Sequence, residues 1–140
     1  MHKIDLRVRY QETDAMGVVY HANYFVWFEI GRTELMRAAG FAYTQLEADG
    51  FMLPVRQVNC HYHRSAKYDD LVTVETVVTR LSPARIEFAY RITRAGELLA
   101  TGETVHPIID NQGRPVNLKK KAPGLWAALN KAVELEIKER

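Results

Sequence analysis

The chain has one cysteine, Cys60, and only two serines, Ser65 and Ser82. One thiol closes no internal disulfide, so a reducing cytoplasm is the expected compartment. Neither serine stands in a G-x-S-x-G setting, which excludes the nucleophile elbow of serine hydrolases. G-x-G-x-x-G and P-loop patterns are absent as well, so no nucleotide site is legible. No apolar stretch approaches the roughly 20 residues of a membrane span, and the opening MHKIDLRVRY is not a signal peptide. An excess of one charge is also missing. The 19 basic and 17 acidic residues leave a net charge of +2, short of the dense basic face of a nucleic-acid binder. The one basic run, Lys119-Lys120-Lys121, reads as a solvated turn.

What is present fits a single domain over residues 1–140, of 16.1 kDa. At this size about 68% of the chain's surface is buried on folding, enough for a core without disulfide or metal staples. Residues 4–10 alternate, with Ile4, Leu6, Val8 and Tyr10 on one face and Asp5, Arg7 and Arg9 on the other. That pattern predicts a half-buried strand. Tyr24 to Ala39 reads as a helix, with Tyr24, Trp27, Phe28, Gly31, Leu35 and Ala38 at three- and four-residue spacing and Glu29, Arg32 and Arg37 as its polar members. Asn23 is the expected N-cap and Gly40 the expected C′ residue. Gly31 in mid-helix costs up to ~1 kcal/mol against alanine, so close approach to a sheet is expected there.

A short helix is expected at 43–48. A change of phase between Leu53/Val55 and Val58/Cys60/Tyr62 predicts a bulge near Arg56–Gln57. Val- and Thr-rich strands follow, with turns at Ser82-Pro83 and Ala95-Gly96, and a last helix runs from about Leu125 to Lys138. The order predicts an α+β domain: a curved five-stranded antiparallel sheet with one apolar face, covered by one long helix. One helix cannot protect the sheet's edges, so pairing between subunits is expected.

Three groups of residues invite chemical readings. Cys60 falls among apolar strand residues and is expected in the core. His61 and His63 share a strand face, but no third ligand is suggested nearby, and a solvated or interface pair is the expectation. The segment from Tyr10 to Tyr24 is more informative, because it joins the first strand to the helix. It offers a loop carboxylate, Asp14, beside the unpaired N–H groups of a helix N-terminus, which stabilise negative charge. A carbonyl between the two would be polarised by the amides and attacked from the carboxylate side. On spacing alone, Asp14 as a turn former and His21 as a cap-region residue is an equally open reading.

The run YQETDAMGVVYHANYFVWFEIGRTELMR resembles the signature of hotdog-fold acyl-CoA thioesterases of the 4-hydroxybenzoyl-CoA thioesterase family, most of all the branch associated with the Tol–Pal system. The resemblance continues through Tyr68-Asp69-Asp70-Leu71 and covers about residues 4–120. It implies a hotdog fold, an acyl-CoA substrate hydrolysed to free acid and CoA, and no metal or redox cofactor. Asp14 would be the catalytic carboxylate, as general base or nucleophile. The His21 N–H would donate to the thioester oxygen, and the His21 side chain would help position water or substrate. The CoA phosphates would lie near the Ser82-Pro83-Ala84 turn, flanked by Arg80 and Arg85, with Arg64 and Lys67 as the next candidates. A homodimer or homotetramer is expected. Hydration of enoyl-CoA is disfavoured, since its D-x-N-P-x-H motif is absent. A module that binds acyl thioesters without catalysis is the competing reading, and it would not need Asp14.

Overall fold

Strand alternation is clearest where Val and Thr are densest. In β3 (Leu71–Ser82), Val72, Val74, Thr76 and Val78 are buried on one face, and in β4 (Arg85–Arg94) so are Ile86, Phe88, Tyr90 and Ile92. β5 (Glu97–Pro107) adds Ala100, Thr104 and His106. The opposite face is charged, with Glu75 between Lys3 and Arg91, and Arg80 beside Glu87. A sheet with one apolar face requires one cover. β1 (His2–Arg7) and β2 (Gln57–Tyr62) complete an antiparallel sheet ordered β1-β3-β4-β5-β2, with β1 and β2 at its edges. This computed structural model describes residues 1–139, with side chains to residue 133.

The cover is α1 (Asn23–Ala38), which buries Tyr24, Trp27, Phe28, Gly31, Leu35 and Met36. A methyl group on Gly31 would collide with Thr76 Oγ1 and Val74 Cγ1, so glycine is what lets α1 lie this close to β3. One strand further on, Phe28 stacks on Tyr90 with ring centroids 4.4 Å apart. Gly40, at φ +94°, closes the helix as expected. Its N–H reaches Arg37 O and the Phe41 N–H reaches Met36 O, each at 3.0 Å, in a Schellman arrangement. α2 (Tyr43–Ala48) follows where the sequence predicts it. After β5 come α3 (Leu118–Lys121) and α4 (Pro123–Glu139), and α4 buries Leu125 and Leu129 as it packs on β3.

Several local expectations need correction. β1 ends at Arg7, and Tyr10 opens a 3-10 turn (Tyr10–Glu12) with its ring 75% exposed, because the chain bends before the alternation is complete. Asn23 is the first helical residue, and Ala22 holds the N-cap position. The Asn23 amide instead donates to Glu12 O at 2.8 Å, tying the helix start to the turn. The phase change at 56–57 marks where β2 begins; the register shifts lie in β3–β4 at Val78/Arg80 and in β4–β5 at Ile92/Thr93. The three lysines sit on α3, capped by Asn117 Oδ1, which accepts the Lys120 N–H at 3.1 Å. Cys60 is half-buried, since β2 is an edge strand. Among the described residues no helix is long and apolar enough to cross a membrane.

Candidate active site

The segment between β1 and α1 is anchored by a buried carboxylate. Glu12 Oε1 accepts the Arg9 N–H at 2.8 Å, and Oε2 accepts the indole N–H of Trp27 at 2.9 Å. Arg9 Nε stands 3.5 Å away. A buried charge with this many partners is tolerated, and here it fixes the turn to the apolar face of α1. From that anchor the chain makes a small hairpin. Tyr20 N–H bonds Glu12 O at 2.8 Å, Asp14 N–H bonds Val18 O at 2.9 Å, and Thr13 bridges to Val19. Gly17, at φ +79°, supplies the reversal, and Val19 N–H reaches Ala66 O at 2.9 Å.

Asp14 stands at this reversal. Its Oδ1 accepts the Met16 N–H at 2.9 Å, which fixes the side chain in an Asx turn and leaves Oδ2 for other work. The other end of the hairpin runs into α1. There the N–H groups of His21 and Ala22 find no acceptor among the described residues, while their carbonyls accept from Tyr24 and Phe25. A helix of 16 residues stands behind them, and its dipole favours negative charge at this end. The His21 ring is exposed, 4.5 Å from Tyr20 and 6.4 Å from Tyr62 between centroids. Tyr62, on β2, donates its hydroxyl to His21 O at 2.9 Å. Burial and the neighbouring Cys60 push that phenol's pKa well up, so it stays a donor.

The sequence-predicted residues are not all brought together. Asp14 stands at the reversal of the hairpin, and His21 follows its last paired residue, Tyr20, where the chain enters α1. Arg80 and Arg85 flank the β3–β4 turn at the opposite end of β3 from Asp70, which pairs with Val8 beside the hairpin. About ten residues of strand separate the two ends, roughly 30 Å. Arg80 is mostly exposed, with its Nε 3.6 Å from Glu87. Arg64 and Lys67 are nearer, on either side of Ala66, which holds the hairpin; Arg64 pairs with Glu97 at 3.4 Å. His61 and His63 are exposed, and no group of three metal-ligating side chains occurs among the described residues.

Sequence reasoning missed a groove. Beyond the hairpin, α1 and β2 border a cavity of about 250 Å³ whose walls include Phe25, Val26, Glu29, Arg32, Val58 and Thr104. A second cavity of about 100 Å³ shares Glu29 and Arg32 and reaches Tyr43, Leu53 and Phe88. A buried polar chain backs them both. His106 Nδ1 lies 3.2 Å from Leu53 O and its Nε2 lies 2.7 Å from Thr104 Oγ1, which in turn meets the Tyr90 hydroxyl. A carbonyl only accepts, so Nδ1 carries the proton, Thr104 donates to Nε2 and Tyr90 donates to Thr104. Burial, and then the charge of Arg32, push the His106 pKa down to about 4. The imidazole is therefore neutral. In sequence, Glu29 and Arg32 look like the solvent face of a helix, and nothing distinguishes them from Arg37.

Comparison with known proteins supplies the chemistry's context. The model of the thioesterase-like superfamily matches residues 8–135. The chain is 36% identical over 132 residues to the putative acyl-CoA thioesterase YneP of Bacillus subtilis, covering 93% of this chain and 96% of that protein. It is 33% identical over 135 residues to the acyl-CoA thioester hydrolase YbgC of Escherichia coli O157:H7, covering 96% and 93%. Among solved structures, a DHNA-CoA thioesterase from Staphylococcus aureus superposes with a TM-score of 0.93 at 34% identity, covering 99% of this chain and 94% of that one.

Proposed function

The chain belongs to the thioesterase-like superfamily and is an acyl-CoA thioester hydrolase, and we propose that Asp14 and the His21 amide carry out the reaction. One observation supports this reading most: a half-buried carboxylate with one oxygen uncommitted stands on the hairpin that leads directly into two unsatisfied N–H groups at a helix N-terminus. The thioester oxygen is held by the His21 N–H, with the Ala22 N–H beside it. Those donors meet the carbonyl best when it becomes an oxyanion, so they stabilise the transition state more than the ground state.

Asp14 Oδ2 takes a proton from water, whose oxygen attacks the carbonyl carbon. The tetrahedral intermediate collapses, the C–S bond breaks, and the thiolate leaves to take up a proton as CoA. If Asp14 itself attacks, the same collapse leaves an acyl–enzyme anhydride, which water then opens. Tyr62 holds the His21 peptide from β2 and so acts as a positioning residue.

The open edge of β2 supports a homo-oligomer. Val58 and Tyr62 are 45% and 47% exposed although they face the covered side of the sheet, and a second copy paired along this strand would cover them. Arg80 and Arg85 reach a CoA held at Asp14 only from such a second copy, while Arg64 and Lys67 reach it within the chain. A cytoplasmic setting fits the lone thiol.

Thiol release from a panel of short, long and aromatic acyl-CoAs tests the activity, and saturable release with matching free acid is the expected result. Absence of release from every acyl-CoA would end the reading. Rapid quench separates the two routes, since trapped acyl on Asp14 marks the nucleophile.

A further inference from the structure

One buried residue holds the chain on both sides of His21. The Ala66 carbonyl accepts the Val19 N–H at 2.9 Å, and the Ala66 N–H donates to the Tyr24 hydroxyl at 3.1 Å. Val19 closes the hairpin that carries Asp14, and Tyr24 lies in the first turn of α1. The placement of Asp14 relative to the His21 N–H therefore depends on where Ala66 stands. Ala66 itself belongs to no helix or strand. It lies in the loop of residues 63–70 that follows β2 and leads into β3.

The charge that fixes this loop comes from another strand. Arg94, the last residue of β4, donates from Nη1 to Ser65 O at 3.2 Å and to Asp70 Oδ2 at 2.7 Å. Those acceptors stand at the two ends of the stretch that holds Ala66. Asp70 Oδ2 also accepts the Lys67 N–H at 2.8 Å, so one oxygen gathers the loop and the guanidinium together. Nη2 of Arg94 bonds Glu97 across the turn into β5. The Arg94 and Asp70 side chains are part-buried, 29% and 24% exposed, whereas the cations paired on the outer face of the sheet are more than half exposed.

We propose that Arg94 is a positioning residue for the hydrolysis: through Ser65 O and Asp70 it sets Ala66, and through Ala66 it sets Asp14 against the His21 N–H. The proposal rests on the roles given to those two groups above. The donors of Arg94 go to the loop and to Glu97 rather than to Asp14 or His21, so its influence on the reaction passes through Ala66. A planar fork suits the task, because it reaches several acceptors in fixed directions; an ammonium holds Asp70 without fixing Ser65. Without the fork the loop is free to shift. The bound thioester then meets the same groups in the wrong alignment, a fault that falls on kcat rather than on KM.

The test is kcat and KM, measured separately with the best acyl-CoA and with each protein assayed well below its own Tm. Arg94→Met should lower kcat about ten- to a hundredfold and leave KM almost unchanged. Arg94→Lys keeps a charge for Asp70 and should recover part of the lost kcat. Asp70→Asn breaks the same clamp from the loop side and should lower kcat in the same sense, which keeps the test sharp if Arg94→Met folds poorly. Glu97→Gln removes the other ion pair of Arg94 and leaves the loop contacts in place, so its kcat should stay close to the parent's. An unchanged kcat in Arg94→Met and Asp70→Asn overturns the proposal and leaves the thioesterase reading intact. So does a rise in KM without a fall in kcat, which would make Arg94 part of the substrate's binding surface. Arg94→Lys as slow as Arg94→Met, or Glu97→Gln as slow as either, would also overturn it. If the parent releases no thiol from any acyl-CoA, both readings fall.

Discussion

On the side of α1 that faces β3, Gly31 lies against Thr76 and Val74 so closely that a methyl group has no room. On the side that faces β2, Phe25, Val26, Glu29 and Arg32 border a groove that no other part of the described chain fills. The first side is apolar and leaves its position no freedom. The second carries charge, unsatisfied amides and exposed strand. One helix thus serves two ends: its closed side places it, and its open side presents the groups that need a partner or substrate. Rigid placement matters for the second task, because donors aimed at a developing oxyanion lose their value with small displacements.

The contrast can be stressed from either side, and the largest effect expected comes from acid. His106 lies in the floor of the open side and is held neutral, with its pKa near 4 against an ordinary value near 6.5. The unfolded chain therefore binds a proton that the folded chain refuses. This stability is fully present above about pH 6.5 and is lost as pH falls toward 4, amounting to about 3 kcal/mol. Denaturant titrations at pH 7 and pH 4 should show that loss in the parent and a loss smaller by about that amount in His106→Gln. Equal losses in the two proteins would mean that His106 does not titrate as described.

Gly31→Val addresses the closed side. It should cost about 1–3 kcal/mol through overpacking against Thr76 and Val74, read as a lower urea midpoint. Whatever protein remains folded should keep an intact Asp14 hairpin and thus most of its kcat. Trp27→Phe acts where the sides meet. It leaves Glu12 Oε2 buried without its indole donor, at a cost of about 1–2 kcal/mol. Because Glu12 anchors the hairpin, this variant should lose both stability and kcat, and a loss of stability alone would detach Glu12 from the site. The smallest effect belongs to Tyr62→Phe. It removes a single exposed hydrogen bond to His21 O, so kcat should fall a few-fold and Tm by no more than a few degrees, in line with about 1 kcal/mol for such a bond.

The two sides also differed in how legible they were. Periodicity located α1 and the buried face of β4, because burial on one face forces a repeat, while composition and turn residues marked β3 and α2. Gly31 announced a close contact, since nothing else justifies glycine at that point in a helix. Asp14 and His21 stood out through the loop-to-helix junction and the family resemblance. Glu29 and Arg32 did not, because a groove is a relation between two elements and leaves no period in either. Tyr62 and Glu12 were missed for a similar reason: their partners lie 41 and 15 residues away in the chain. Asn23 misled because an N-cap signal shows only which residue types could cap; here the helix starts one residue earlier than that signal implies, with Ala22 at the cap, and the Asn23 Nδ2–H donates to Glu12 O instead.

The proposed chemistry depends most on Asp14, and the rate of acyl-CoA hydrolysis by Asp14→Asn tests that role directly. The substitution keeps the size of the side chain and an oxygen for the Met16 N–H, and it removes the charge. Protein with the parent's Tm and oligomeric state should bind acyl-CoA with little change in affinity and release thiol about 10²–10⁴ times more slowly. If that protein hydrolyses its best acyl-CoA as fast as the parent, Asp14 is only the corner of a turn, and the mechanism described here is wrong.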